Sequence, residues 1–234
     1  MLYLSRITLD GRSRTAQRDL TDCRALHRTV MRAFPTVPDG PDKAREAFGI
    51  LFRAEPMPRS ATSAFTLLVQ SRERPDWSQL PDGYLALQEP KCVDGYYQGL
   101  QIGYILRFRL RANPTKRISA NNDQETARWH GKRVELRRAE DQVAWLARKG
   151  IEGGFRLLHI QTDADVVDTS TRHGLNALGY RRDALEGRRR MTFGSVLFEG
   201  RLAITDAELF RATLAAGIGS GKAYGFGLLS VASA

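Results

Sequence analysis

Segments with strand-like and helix-like apolar spacing follow one another twice along this chain, and this repeated order constrains its fold most. Apolar and polar residues alternate in a strand, whereas apolar residues recur three or four positions apart in a helix. The first set is a strand, a helical region and two further strands: Tyr3–Leu9, 14–34, 61–71 and 84–88. The second set is a strand, a helix, a strand, a hairpin bent at Glu199–Gly200, a helix and a strand: 103–112, 139–149, 155–161, 191–204, Ala207–Ala216 and 227–231.

The segment between the two sets, residues 89–101, is predicted to be a linker because it contains Pro90, Gly95 and Gly99. A chain of 234 residues with 42% hydrophobic content can bury two small cores. Each half mixes strands and helices in a βαβ-like order. We therefore predict an α+β protein of two tandem ferredoxin-like domains, spanning residues 1–88 and 102–234.

The C-terminal segment is rich in glycine around a single lysine and reads G-I-G-S-G-K-A-Y-G-F-G-L-L-S-V-A-S-A from Gly217. Glycines allow positive φ angles and close approach to the backbone, so successive amides can form a nest for an anion. Gly219, Gly221 and Lys222 are candidates for such a phosphate contact. A purely structural helix-to-strand turn is the alternative interpretation.

Two nucleotide-binding motifs are excluded by the residues at this loop. A phosphate-binding Walker A loop needs G-x-x-x-x-G-K-[ST], but Ala216 replaces its first glycine and Ala223 replaces its hydroxyl residue. A dinucleotide-binding loop follows a first strand and opens a helix. Here the glycines follow a predicted helix and precede the last strand.

The charge balance points to a polyanionic partner. The chain has 36 Lys and Arg against 26 Asp and Glu, a formal net charge of +10. This excess favours nucleic acid first and an anionic membrane surface second. No apolar run is long enough to span a bilayer, and the N-terminus is too short and polar for a signal peptide. We expect a cytoplasmic protein without membrane contact. Cys23 and Cys92 have no metal-ligand spacing and are expected to be free thiols.

Basic residues are clustered in the second half of the chain. Arg107, Arg109 and Arg111 alternate with apolar residues, so a strand would place all three on one face. The other clusters are Lys116 with Arg117, then Lys132, Arg133, Arg137 and Arg138, and finally Arg181, Arg182 and 188–190. A solvated surface explains any single cluster. Several in one half, beside a glycine–lysine loop, favour an RNA or DNA groove that binds phosphates.

Candidate catalytic groups are few. None of the four histidines lies in a metal-ligand spacing, and no paired carboxylates suggest a two-metal nuclease, so we expect neither metal nor cofactor. A metal-independent ribonuclease needs an acid or base near a 2′-hydroxyl, and histidine titrates near neutrality. His27 falls within the apolar arc of its helix, toward the edge formed by Arg24, Arg28 and Arg32. A core histidine and a catalytic one both fit this position.

Several motifs together resemble a known family. They are the strand Y-L-S-R-I-T-L, the helix A-L-H-R-T-V, the segment L-R-F-R-L-R-A-N-P-T-K-R, the helix A-E-D-Q-V-A-W-L-A-R-K, the segment V-L-F-E-G-R-L-A-I-T-D and the glycine-rich end. On these motifs the chain is identified as a member of the Cas6e family, also called CasE or Cse3. These are CRISPR RNA-processing endoribonucleases of type I-E systems, within the RAMP superfamily.

The resemblance implies tandem ferredoxin-like domains and metal-independent cleavage at the 3′ base of the repeat hairpin in precursor CRISPR RNA. It implies a 5′-hydroxyl on one product and a 2′,3′-cyclic phosphate on the other. It also implies that the enzyme keeps its guide RNA and joins the other subunits of the Cascade complex. The family's catalytic histidine maps onto His27.

One position departs from the family pattern. Family members carry tyrosine three residues before the histidine, where this chain has Arg24. Arginine is a poor proton carrier, but it can stabilise charge on the transition state, with Arg28 as a further phosphate contact. Tyr3, Tyr224 and Lys222 are possible replacements for the tyrosine. Two alternatives stay open: an RNA-binding subunit that has lost cleavage, and an assembly protein that holds guide RNA within a larger particle. A DNA-binding transcription factor is disfavoured because no helix-turn-helix or zinc-finger signature is present.

Overall fold

The computed structural model describes residues 1–38, 41–56, 65–86, 89–118, 131–163 and 193–234. An antiparallel sheet near the N-terminus contains five strands: β1 (Tyr3–Leu9), β2 (Leu51–Pro56), β3 (Phe65–Ser71), β4 (Tyr84–Ala86) and β5 (Lys91–Cys92). Its order is β2-β3-β1-β4, and β5 also pairs with β1. Three helices lie between β1 and β2 in the chain: α1 (Arg14–Thr21), α2 (Cys23–Met31) and α3 (Pro41–Ala47).

A second antiparallel sheet contains four strands: β6 (Ile105–Ala112), β9 (Phe155–Asp163), β10 (Val196–Ile204) and β11 (Leu229–Ser233). A two-stranded hairpin follows β6 and consists of β7 (Thr115–Arg117) and β8 (Arg133–Glu135). Further helices among the described residues are α4 (Asp94–Gln98), α5 (Ala139–Glu152) and α6 (Ala207–Ala216). Among the described segments, none is a helix long and apolar enough to cross a membrane.

Both sheets have the same strand order, which confirms the predicted fold class. In the second sheet the order is β11-β6-β10-β9, so its fourth strand lies beside the first and the third beside the second. The order β4-β1-β3-β2 in the first sheet repeats this pattern. Two tandem ferredoxin-like units therefore form the chain. We keep residues 1–88 and 102–234 as proposed domain limits.

The segment predicted as a linker, residues 89–101, instead holds β5 and α4. The amide of Val93 donates to the carbonyl of Leu2 at 2.9 Å, and the amide of Leu2 donates to Asp94 at 3.0 Å. Tyr97 is buried and donates to Gln70 at 3.2 Å. Pairing with the first residues of the chain therefore orders a segment whose glycine and proline content suggested a connection.

The hairpin predicted over 191–204 is wrong for the described part of that range, because Val196–Ile204 is one continuous strand. Glu199 and Gly200 pair on one side with β6 and on the other with β9. A Cβ atom on Gly200 would lie only 2.0 Å from the carbonyl oxygen of His159. The glycine is required by close approach of the backbones and not by a turn.

The helical region predicted over 14–34 is divided in two by Asp22. This residue has extended backbone angles, and its side chain accepts a hydrogen bond from the amide of Arg24 at 2.9 Å. Such a side chain satisfies a free amide at the first turn of a helix. The cap fixes where α2 begins, and α2 carries the candidate histidine.

Each sheet has its own apolar core, and a residue from the C-terminal segment enters the first core. The first core contains strand residues such as Ile7, Phe52 and Leu67, and the second contains Leu110, Trp145 and Phe198. Phe226, close to the C-terminus, lies fully buried in the first core. The glycine-rich segment is thereby held against the first unit.

Candidate active site and RNA-binding surface

His27 lies on the buried face of α2. The residue is only 6% exposed, and its ring stacks on Phe52 of β2 with ring centroids 6.3 Å apart and an interplanar angle of 20°. Arg24, three residues earlier, is partly exposed, and Arg28 is exposed. Both ring nitrogens of His27 are covered, so the structure places the residue within the apolar arc of the helix, and its expected position toward the arginine edge stays a prediction.

A buried hydrogen-bond network holds α2 against α1 and β4. The Asp19 carboxylate of α1 is fully buried and accepts from the Thr29 hydroxyl at 2.6 Å and from the Tyr84 hydroxyl at 2.8 Å. Burial, together with the Asp19 charge, raises the pKa of Tyr84 well above its ordinary value. Tyr84 therefore stays a protonated donor, and the network fixes the helix that presents His27.

The glycine-rich loop lies against α2. Its 3₁₀ turn, Lys222–Tyr224, contacts both α2 and β2, so the structure brings together the helix of His27 and the loop of Lys222. Lys222 is half-buried, and burial, with a smaller contribution from Arg45, lowers the pKa of its ammonium group. A bound anion would oppose this shift, because a nearby negative charge favours the charged ammonium form.

Glycine is needed in this loop for reasons that the structure makes explicit. Gly219 and Gly221 both have positive φ, and a Cβ atom on them would approach Trp145 to 3.1 Å and Phe226 to 2.9 Å. The loop also closes on itself, because the amide of Ile218 donates to the carbonyl of Gly227 at 2.9 Å. The structural interpretation of the glycines is thus supported, and their phosphate contact stays a prediction.

The three alternating arginines of β6 do share a sheet face, but only Arg107 is exposed. Arg109 binds two carboxylates, Glu55 at 2.6 Å and Glu199 at 2.5 Å. Arg111 is only 3% exposed and donates to the Ser195 hydroxyl at 3.2 Å. Arg109 is paired with carboxylates and Arg111 is buried, so we leave both out of the RNA surface proposed below.

Arg53 of β2 joins the two units from within. Its guanidinium is 2% exposed and donates to the carbonyls of Leu228 at 2.8 Å and Arg109 at 3.0 Å. It also pairs with Glu55 and donates to the Ser230 hydroxyl. Because Phe52, the neighbour of Arg53, stacks on His27, one strand links the candidate histidine to the strands β6 and β11.

The predicted cations that follow β6 form a coherent exposed group. Lys116 and Arg117 lie on β7, directly opposite Val134 and Arg133 of β8. The members of this group, which we name the cationic hairpin, are all exposed: Lys116, Arg117, Lys132, Arg133, Arg137 and Arg138. The nearby carboxylate of Glu135 is occupied by the amide of Gly194 and by Asn113. The hairpin therefore keeps a net positive charge suited to RNA phosphates.

Among the described residues, Cys23 and His159 supply no further catalytic group. Burial, with help from the Asp22 charge, raises the pKa of the Cys23 thiol to about 12, so it is not a thiolate near neutral pH. His159 is exposed on β9. His130, His173 and the arginines of 181–190 lie outside the described residues. In the part of the chain that the structure describes, no group of three His, Cys, Asp or Glu residues could hold a metal ion.

The fold and the candidate site define a class of protein with two tandem ferredoxin-like units. The first unit carries His27 on α2, and the second carries the exposed cationic hairpin. A family model described as CRISPR associated protein matches residues 2–233. The chain belongs to this family, within the Cas6e group that its sequence motifs predicted. The tandem fold and the sequence motifs thus indicate the same family.

Three known proteins illustrate the similarity. The CRISPR-associated endoribonuclease Cse3 of Thermus thermophilus is 38% identical, with 99% of this chain and all of that protein covered. The CRISPR system Cascade subunit CasE of Escherichia coli is 32% identical, with 99% of each covered. A structure of Thermus thermophilus Cse3 bound to an RNA representing a pre-cleavage complex is 37% identical, with a TM-score of 0.71 over 99% of this chain and 98% of that one.

Proposed function

We propose that this protein is an endoribonuclease that processes precursor CRISPR RNA and then serves as a subunit of Cascade. The endoribonuclease Cse3 and the Cascade subunit CasE, each aligned over nearly the whole chain, support this assignment. The finer proposal is cleavage at the 3′ base of the repeat hairpin, without metal, followed by retention of the hairpin-bearing product. The single observation that carries it is the packing of the His27 helix against the Lys222 turn.

The reaction is an attack by a ribose 2′-hydroxyl on the adjacent phosphate. The new bond joins the 2′-oxygen to phosphorus, and the bond to the 5′-oxygen of the next nucleotide breaks. One product ends in a 2′,3′-cyclic phosphate, and the other begins with a 5′-hydroxyl. His27 exchanges a proton at one of these two oxygens, since an imidazole is the side chain best matched to proton transfer near neutral pH.

The residues around His27 supply charge for this step. Arg24 lies on the same side of α2, one turn before the histidine, and can stabilise the extra negative charge of the transition state. Lys222 and the backbone at Gly219 and Gly221 hold the RNA chain beside it. Because both ring nitrogens of His27 are covered, the proposed reaction requires a local movement that exposes them, on the side of the partly exposed Arg24.

The cationic hairpin grips the stem of the repeat. A-form RNA hides its base edges in a deep, narrow groove, so proteins recognise it by shape and by its phosphates. The exposed arginines and lysines of β7 and β8 supply such contacts, with Arg107 as a further cation on β6. Arg28, exposed on α2, adds a contact close to the scissile phosphate.

The test is cleavage of a labelled repeat hairpin in EDTA by the parent protein and by His27→Ala. We expect the variant to lose at least about a hundredfold in rate, the usual contribution of a positioned acid or base. Its affinity for the hairpin should stay within a few-fold of the parent's. Substitution of the exposed His159 by Ala is the matched control and should leave the rate unchanged. Parental cleavage by His27→Ala would show that another group does the chemistry.

A second candidate function is a guide-holding subunit without cleavage, and it is favoured by Arg24 in the place of the family tyrosine. The same assay separates the two functions, with a 2′-deoxy substitution at the scissile nucleotide as control. Cleavage blocked by the deoxy substitution supports the enzyme. Tight binding by the parent without any cleavage supports the guide-holding subunit. Weak binding to the isolated hairpin, with tight binding to the assembled complex, supports the assembly protein.

A further inference from the structure

Two open clefts flank the outer face of α2, and they share two exposed arginines. Arg28 and Arg32 lie one helical turn apart, and we name them the arginine ridge. The first cleft, of about 460 Å³, lies on one side of the ridge and is also lined by Arg18 of α1. The second cleft, of about 500 Å³, lies on the other side, toward the end of α2. The ridge is therefore accessible from both sides.

The first cleft is cationic. The exposed guanidinium of Arg18 binds the buried carboxylate of Asp19 at 2.9 Å. The Thr29 hydroxyl in the cleft already donates to Asp19, and the Asp22 side chain already caps α2. Arg28 and Arg32 take part in no ion pair within the described segments. The cleft thus offers guanidinium groups to a phosphate backbone.

The second cleft is mostly apolar. Its walls include Met31, Phe34, Pro35 and Val37, together with the hydrocarbon parts of the arginine ridge. The arginine ridge beside this apolar cleft suits a nucleic-acid strand whose phosphates and bases point in different directions. Single-stranded RNA presents its bases in this way, whereas a duplex keeps them stacked inside. The chemistry favours a single strand over a stem.

The position of the second cleft identifies which strand. Met31 follows His27 by four residues, so it lies one turn further on the same side of α2, about 6 Å along the axis. That distance is close to the spacing of neighbouring nucleotides. Under the proposed function, the RNA before the cut is the stem on the cationic hairpin. The RNA beyond the cut is the single strand on the 3′ side.

We infer that the arginine ridge, with Arg18 and the apolar second cleft, binds the single-stranded RNA on the 3′ side of the cleaved phosphate. This inference rests on the proposed function and extends it to a second RNA-binding surface in the N-terminal unit. The surface would hold the precursor RNA with the cleaved phosphate at His27. It would become free when the 3′ product dissociates.

The experiment compares three repeat hairpins, each with a 2′-deoxy nucleotide at the cleavage position so that binding is measured alone. One has no flank, one has a 3′ flank and one has a 5′ flank, each flank of roughly six nucleotides, within the size of short single-strand sites. For the parent protein we expect the 3′ flank to raise affinity about tenfold and the 5′ flank to have a much smaller effect. The readout is the ratio of flanked to unflanked affinity.

The variant Arg18→Gln with Arg32→Gln should reduce the 3′-flank ratio to less than about threefold. The control pair Arg148→Gln with Arg156→Gln removes the same charge from exposed positions on α5 and β9. It should keep the parental ratio. Circular dichroism of both variants checks that each is folded, and the ratio is insensitive to a shared loss of active protein.

Three results would overturn the inference. They are a 3′ flank that adds nothing to the parent's affinity, a 5′ flank that adds as much, and a ratio unchanged in the Arg18 and Arg32 variant. A parent that cleaves the unflanked all-ribose hairpin but gains nothing from the 3′ flank would overturn this inference alone. A parent that fails to bind the unflanked hairpin would overturn the proposed function as well.

Discussion

The two ferredoxin-like units share a strand order but are completed in different ways. In the C-terminal unit, α5 and α6 each connect two strands of the sheet, as the fold requires. In the N-terminal unit all three helices precede β2, and the connection from β3 to β4 contains only the 3₁₀ turn Trp77–Gln79. Phe226, from the far end of the chain, fills part of the N-terminal core. A sheet of this topology can therefore be covered by helices of its own unit, or its core can be completed by a residue from the neighbouring unit.

The units also differ in how they present positive charge. The C-terminal unit places its exposed cations on a short hairpin that projects from the end of β6. The N-terminal unit places them along a helix, beside the candidate histidine and two clefts. A hairpin suits the shape of a stem, whereas a helix edge suits a single strand. Under the proposed function, the two units would therefore bind two different parts of one RNA.

The strongest test of this comparison is Phe226→Ala. Because Phe226 is fully buried in the N-terminal core, we expect a loss of about 3–5 kcal/mol in the free energy of unfolding. Urea denaturation measures the loss. Hydrogen exchange locates it, and amides of β1 and β3 should lose more protection than those of β10.

Phe198→Ala is the matched control, since Phe198 is equally buried in the C-terminal core. It should release β10 and β9 first. If Phe226→Ala weakened only the C-terminal sheet, the chain end would not complete the N-terminal core.

A smaller effect is expected from the cationic hairpin. Replacing Lys116 and Arg117 by Gln should weaken binding of an unflanked repeat hairpin about tenfold and flatten the dependence of log affinity on log salt by about two units. Fluorescence anisotropy at several salt concentrations measures both quantities. The pair Arg148→Gln with Arg156→Gln again serves as control, and equal losses in the two variants would reduce the effect to net charge alone.

The smallest expected effect concerns the ion pairs between the units and depends on pH. Burial alone would raise the pKa of Glu55, but the guanidinium groups of Arg53 and Arg109 outweigh it and hold that pKa below its ordinary value. A lowered carboxyl pKa in the folded state adds stability above the ordinary value and loses it as the pH falls through the lowered one. Glu55→Gln should therefore cost about 1–2 kcal/mol at pH 7 and progressively less below about pH 4.

Thermal unfolding of parent and variant across this pH range measures the difference. Glu199→Gln, at a carboxylate 40% exposed, should show a smaller difference that salt removes. A Glu55→Gln difference that is constant with pH would exclude an electrostatic origin.

The sequence predicted correctly those helices and strands whose apolar residues all pack into the core of their own unit. Alternation located β1 and β6, and the apolar spacing of 139–149 located α5. In contrast, β2 was missed because its Arg53 and Glu55 carry polar groups that are buried only by the other unit. The same distant contact explains Arg109, whose spacing indicated an RNA cation but whose partner Glu55 lies 54 residues away in the chain.

The candidate site was predictable in part. The family motifs identified His27, and helical geometry placed it beside Arg24 and Arg28. Nothing in the sequence indicated that Phe52 would stack on the histidine or that the 3₁₀ turn at Lys222 would lie against α2, because both contacts join segments that are distant in the chain. The arginine ridge was also missed, since its meaning depends on two clefts that only the packed helices create.

The burial of Phe226 in the first core has a consequence for synthesis. A ribosome makes the residues of β1 to β5 well before it reaches Phe226, and domains commonly fold in the order of their emergence. Here the first unit keeps an incomplete interior until Phe226 has been synthesised. A nascent chain that ends before Phe226 would expose apolar surface in both units. Chaperones and proteases could therefore recognise the truncated chain by this exposed surface.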